Sequence, residues 1–190
     1  MSETRYIWAF SSKFSVFEPR ADQAADLFDK NVRRPPMADW VAPFAVEVGG
    51  GGRNPSPRGD FPGTTGFMHM LSPRALDALG EEFSKYGTLY PVKLGDEASG
   101  WCLFHPTRVV DCLDLENSKV KRSVLPPHDI TAVLEPSFDP QTTPQEGLFL
   151  ASDHVGGDIY VCENIKSLVK KHKLKGFALT ETFFGKPWIS

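Results

Sequence analysis

The sequence predicts an α+β fold: a single domain built on a mainly antiparallel mixed sheet, with two principal helices and a long Gly/Pro-rich loop. Two stretches carry the expectation, Phe67–Leu94 and Asp158–Thr182, because in each the apolar period changes from two to about 3.6 and back. Short gaps between the remaining apolar runs add the antiparallel character, since a parallel pair needs a crossover of a dozen residues or more.

In the second stretch, DIYVCENIKSLVKKHKLKGFALTET, Ile159 and Val161 fall on one side of a strand and Tyr160 and Cys162 on the other. Ile165, Leu168, Val169 and His172 then follow at i, i+3, i+4 and i+7, the stripe of an amphipathic helix. Glu163 at its start and Lys166, Lys170, Lys171, Lys173 and Lys175 toward its end match the helix dipole. Gly176 is the expected left-handed stop, and Phe177–Thr182 returns to strand composition. In the first stretch Phe67–Leu71 reads as a strand, Ser72 as an N-cap and Pro73 as the first helical residue. Leu76, Leu79, Phe83 and Tyr86 recur at helical spacing, Gly87 ends the helix, and Thr88–Leu94 reads as an edge strand because it contains Pro91.

Elsewhere, Tyr6–Phe10, Phe14–Phe17, Pro43–Val48, Asp129–Leu134 and Leu148–Ala151 are strand-like, and Ala21–Asn31 can form a short helix. Ser99–His105 and Thr107–Leu115 read as a hairpin or two adjacent strands, with Leu115–Arg122 as a charged turn. Gly49–Gly66 is the long loop by composition. A loop of that length in a compact domain is functional or disordered. Pro136–Gly147 is a second, shorter one.

Composition bounds the function. At 190 residues the chain can bury roughly 70% of its unfolded surface without staples. A net charge of −3 argues against a strongly basic nucleic-acid binder. Three scattered cysteines predict free thiols in a reducing compartment. The opening residues predict no secretory leader, and no apolar run of 18 residues predicts a membrane span.

Each chemical candidate has a plain structural alternative. Cys102 and His105 have the spacing of half a metal site, yet three residues apart on a strand they point to opposite faces, and no second pair stands at ligand spacing. The expectation is buried thiols, no metal, no cofactor and no disulfide. Gly49–Gly52 with Arg53, and Gly63–Gly66, lack the Gly-Lys-Ser/Thr ending and following helix of a phosphate loop. His69 reads as a half-buried structural histidine. His154 and Asp158 frame a turn and are either a base with its orienter or an ordinary hydrogen-bonded turn. The lysine-rich helix end reads as a solvated face. Asp111, Asp114 and Glu116 form an acidic run, either a charge-protected sheet edge or a contact surface for a basic partner.

Three segments together resemble one family. Asp60-Phe61 with the Ser72–Leu79 helix and Tyr90-Pro91-Val92 is the first; Val109–Ser118 is the second; Leu148–Leu150 and Ile159–Cys162 with the helix after it and Leu174-Lys175-Gly176-Phe177 is the third. In this order they resemble the Imm11 family of immunity proteins (DUF1629) of bacterial polymorphic toxin systems. The resemblance covers residues 60–184, and residues 1–59 match loosely. The family's acidic D-x-L-D…S element falls on Asp111, Leu113, Asp114 and Ser118. The resemblance implies a cytoplasmic antidote that binds a cognate toxin made beside it and blocks it by occlusion. It implies no enzyme activity and transfers no catalytic set. Asp111, Asp114 and Glu116 are then the candidate partner-binding residues. In an alternating strand Asp114 and Glu116 would share a face and Asp111 would point away. The rival expectations are a small enzyme using His154, Asp158 or His69 and a structural adaptor of a secretion apparatus. Oligomeric state stays open.

Overall fold

The computed structural model describes residues 4–9, 13–14, 16–19, 44–48, 57–64, 69–94, 97–154, 157–183 and 185–190. Its strands in chain order are β1 (Arg5–Ala9), β2 (Val16–Pro19), β3 (Phe44–Val48), β4 (Gly63–Thr64), β5 (His69–Leu71), β6 (Gly87–Leu94), β7 (Glu97–Pro106), β8 (Val109–Val110), β9 (Lys119–Arg122), β10 (Ile130–Glu135), β11 (Leu148–Ala151), β12 (Tyr160–Cys162), β13 (Ala178–Thr180) and β14 (Trp188–Ile189). Among the described residues the helices are α1 (Pro73–Ser84) and α2 (Glu163–Lys171), with a 3-10 turn at Ser152–His154. The fold is α+β, with mostly antiparallel pairing. The helix expected over Ala21–Asn31 and the Gly49–Gly52 run lie outside the described residues.

The two changes of period give two units of the same plan. β12 and β13 both pair antiparallel with β1, so α2 carries the chain across β1 to a strand parallel to β12. β5 and β6 both pair antiparallel with β7, so α1 carries the chain across β7 in the same way. Each unit is a split strand–helix–strand. One sheet runs β14-β13-β1-β12-β11-β8, the other β4-β2-β3-β6-β7-β5, and β9 and β10 form a separate two-stranded ribbon.

Strand alternation sorts side chains into three clusters. Tyr6, Trp8, Val161, Leu148, Leu150 and Leu179 of the first sheet meet Leu71 and Phe104 of the second, together with Ala75, Leu79 and Phe83 of α1 and Ile165 and Val169 of α2. Trp8 is central to this cluster: it stacks on His69 at 3.9 Å and packs on Phe83 and Phe177. The opposite face of the first sheet sends Ile7, Phe149, Tyr160 and Cys162 against Cys112, Leu113 and Val133. The opposite face of the second sheet gathers Phe17, Met70, Tyr90, Val92 and Trp101.

Helix ends follow local chemistry. The Ser72 hydroxyl accepts the Ala75 amide at 3.1 Å, and Pro73 opens α1. The stop of α2 differs from the expectation. Lys173, not Gly176, takes the left-handed position at its end (φ 52°). The Leu174 amide bonds the Val169 carbonyl at 3.1 Å and the Lys173 amide the Lys170 carbonyl at 3.0 Å, a Schellman closure with Leu174 buried over it. Gly176 is left-handed as well, but it serves the entry to β13.

Four further expectations are corrected. β6 lies inside its sheet rather than at an edge; β3 pairs with Lys93 and Leu94, beyond Pro91, so the proline's missing N–H does not interrupt that ladder. Thr107–Leu115 forms no hairpin with β7; within it β8 leaves to pair parallel with β11 in the other sheet. Leu115–Arg122 is a turn only as far as Ser118, after which β9 begins. In the segment read as a loop, the described residues Gly59–Gly63 are buried, and Gly63–Thr64 is a strand.

Candidate functional site

Asp111, Asp114 and Glu116 do not lie on one strand. Leu113 makes a single bridge to Phe138, and a turn follows at Leu115–Asn117. Asp114 builds that turn. Its carboxylate accepts the Glu116 and Asn117 amides, each at 3.2 Å, and the Asn117 side-chain amide at 2.6 Å. These donors, the Asn117 side chain first, hold its pKa below the ordinary carboxylate range. The expected sharing of a face by Asp114 and Glu116 therefore fails. Asp114 faces its own turn, whereas Asp111 and Glu116 are exposed.

Ser118 locks the turn to the chain that returns after the ribbon. Its amide bonds the Asp114 carbonyl at 2.9 Å, its hydroxyl donates to the Ser137 carbonyl at 3.2 Å, and the Ser137 amide returns a bond to that hydroxyl at 2.8 Å. Of the four residues in the acidic element, Leu113, Asp114 and Ser118 hold the backbone, and Asp111 is displayed.

The turn sits at the foot of the β9–β10 ribbon. β10 packs Val133 against the first sheet, with Val120 and Ile130 beside it, while every residue from Val124 to Asp129 is exposed. At that tip Val124 is 90% and Leu125 70% exposed. The tip is nonetheless tightly bonded to itself. The Ser123 amide reaches the Asp129 carbonyl at 2.8 Å, the His128 amide the Leu125 carbonyl at 3.0 Å, and the Leu125 amide the Ser123 hydroxyl at 3.1 Å. Arg122 donates to the His128 carbonyl at 3.4 Å. Sequence reasoning missed this element. The signal available to it was an apolar pair, Val124-Leu125, set between charged residues and Pro126-Pro127, a place where the chain must turn.

The catalytic candidates fare differently. His69 is fully rather than half buried; desolvation against the aromatic cluster pulls its pKa down to about 3, so it stays neutral. His154 Nδ1, Asp158 Oδ2 and the Tyr160 hydroxyl are buried without a hydrogen-bond partner. The contact that would make Asp158 the orienter of His154 is thus not formed. Burial pushes the Asp158 carboxyl up to about 6 and lowers the His154 imidazole, the latter opposed by a bond to the Thr131 backbone.

Cys102 and His105 face opposite sides of β7, and burial raises the Cys102 thiol. Burial, with Asp111 and Asp153 nearby, pushes Cys112 up to about 12, far from thiolate chemistry. Among the described residues no three His, Cys, Asp or Glu side chains cluster as metal ligands, and no helix is long and apolar enough to cross a membrane. The lysines of α2 are not all solvated. Lys166 lies over the Tyr6 ring at 4.1 Å and bonds the Tyr6 hydroxyl at 2.7 Å and Glu163 at 3.2 Å.

Two of the three segments that carry the family resemblance, the first and the third, meet at a structural joint. Asp60 bonds Ser72, Arg74 and the Lys175 amide, and Arg74 continues to the His172 and Lys173 carbonyls at 3.0 and 3.1 Å. In comparisons with known proteins, the chain matches no family model and no curated protein.

Proposed function

We propose that this chain is an immunity protein: a cytoplasmic antidote that binds a cognate antibacterial toxin and blocks it by covering its active site. The observation that carries the reading is the rigid acidic turn at the foot of an exposed ribbon. Asp114 and Ser118 fix the backbone of the turn, Glu116 presents its carboxylate from it, and Asp111 is exposed ahead of the Leu113 bridge that precedes it. Many toxin active sites handle phosphate-bearing substrates and are basic. Fixed carboxylates would steer such a partner and set its orientation. The Imm11 resemblance supports the same reading. The test is co-expression with the protein encoded beside this chain in its genome. A stable complex, and growth of a bacterial host otherwise killed by that protein, is the expected result. Free migration of both proteins, with no protection, overturns it.

A second reading is favoured by the three unpartnered polar groups of His154, Asp158 and Tyr160, which a small enzyme could use on a bound molecule. Under that reading His154→Ala and Asp158→Asn would abolish protection while leaving any complex intact. Under the first, both variants protect fully.

A further inference from the structure

We propose that the β9–β10 tip is the anchor of the toxin interface, and that Val124 and Leu125 enter an apolar pocket with an acidic lip on the partner. This deepens the immunity reading and rests on it. Two adjacent apolar side chains at 90% and 70% exposure on an ordered loop offer apolar area whose removal from water on binding would be favourable. The loop holds them out through its own bonds, from Ser123 to Asp129 and from His128 to Leu125. A loop already fixed in one conformation loses little freedom on binding, which is what an anchoring element requires.

Charge along the ribbon names the chemistry of the receiving site. At the foot Lys119 is paired with Glu135 at 3.0 Å, and the displayed charges there are Asp111 and Glu116. At the tip the exposed charges are Lys121, Arg122 and Asp129, a net positive end. The partner's footprint is therefore basic near the foot and acidic around the pocket that takes the tip. The four residues of β9 span about 14 Å. A standard interface of roughly 800 Å² per partner is about 30 Å across, so foot and tip fit within one contact. Opposite charges at the two ends admit the partner in one orientation only.

The two ends should separate kinetically. Rim charges act on the association rate and its salt dependence, and a buried apolar anchor acts on the dissociation rate. The experiment uses the full chain and the toxin encoded beside it, with surface-immobilised toxin and kinetics at low and moderate salt. A Val124→Ser, Leu125→Ser double variant is expected to dissociate at least about 30-fold faster, with association changed less than about three-fold. Its thermal midpoint should match the wild type, because both side chains are already solvent-facing. Asp111→Lys with Glu116→Lys is expected to slow association and flatten its salt dependence. A complex that forms with the wild type and dissociates within two-fold of it in the Val124/Leu125 variant overturns the anchor while leaving the immunity reading intact. No complex with the wild-type chain overturns both. Light scattering on the free chain covers the remaining occupant: a dimer that the double variant abolishes, with toxin kinetics unchanged, assigns the tip to a second copy of this chain and overturns the proposal.

Discussion

The Ser72 hydroxyl donates to the Asp60 carboxylate at 2.9 Å while accepting the Ala75 amide at 3.1 Å, so one side chain caps α1 and ties it to the joint between the two units. The other Asp60 oxygen takes the Lys175 amide at 2.7 Å and Arg74 at 3.1 Å. Asp60 thus links the start of α1 to the segment that leaves α2. Hydrogen bonds to a charged acceptor are worth about 1.5–3 kcal/mol each; of the donors left behind only the Ser72 hydroxyl is buried, while the Lys175 amide and the Arg74 guanidinium reach water and recover part of the loss. Asp60→Ala is expected to cost about 3 kcal/mol, and Ser72→Ala about 1–2 kcal/mol through the lost cap. Urea unfolding measures both, and a Ser72→Ala cost above that of Asp60→Ala would contradict the assignment.

Asp158 should make the protein less stable as pH rises. Its folded pKa is about 6, above the ordinary 3.8, so the folded state holds the proton more tightly than the unfolded chain. Stability is lost as pH climbs from about 4 through 6, and the penalty is complete above that. Asp158→Asn removes it. The variant is expected to be more stable than wild type by on the order of 2 kcal/mol at neutral pH, the difference vanishing near pH 4. Paired unfolding curves at pH 4, 6 and 8 test the sign, and a constant or inverted difference refutes it.

His69 works in the opposite direction. Its folded pKa of about 3 lies below the ordinary 6.5, so the unfolded chain takes up the proton first. Stability is full above about 6.5 and falls as pH drops toward 3. The ring signals of His69 in an NMR titration should not move between pH 8 and 5. A midpoint above 5 would mean that the ring is not sealed against Trp8.

Asp114 is a turn former before it is a contact residue. Asp114→Ala should speed amide exchange at Glu116 and Asn117, whose N–H groups it binds, by about ten-fold or more, and should leave the β9 amides unaffected. Unchanged exchange at those two amides would return Asp114 to the class of freely displayed carboxylates.

The parts of the fold that local chemistry decides were legible in the sequence. Alternation at Ile159–Cys162 sent Val161 and Tyr160 to different clusters, and Ser72-Pro73 marked the start of α1. What depended on distant partners was not legible. Val109-Val110 joins the first sheet because Leu150 and Ala151 lie beside it, a pairing between residues some forty apart that no local pattern announces. Lys173 takes a left-handed conformation ahead of the more permissive Gly176 because Leu174 is needed in the core at that point. The acidic residues were found as a composition, but their roles diverged once a turn replaced the assumed alternation. The ribbon tip was missed because exposure of Val124 and Leu125 follows from β9 and β10 pairing with each other apart from the two larger sheets.

Occlusion of a toxin is the central claim, and stoichiometric inhibition tests it most directly. The protein encoded beside this chain, the proposed toxin, is assayed for its catalytic activity while the purified chain is added in steps. The account predicts a linear fall to zero at one equivalent, unchanged by His154→Ala. Full activity in the presence of excess chain, or inhibition at far less than one equivalent, would contradict it.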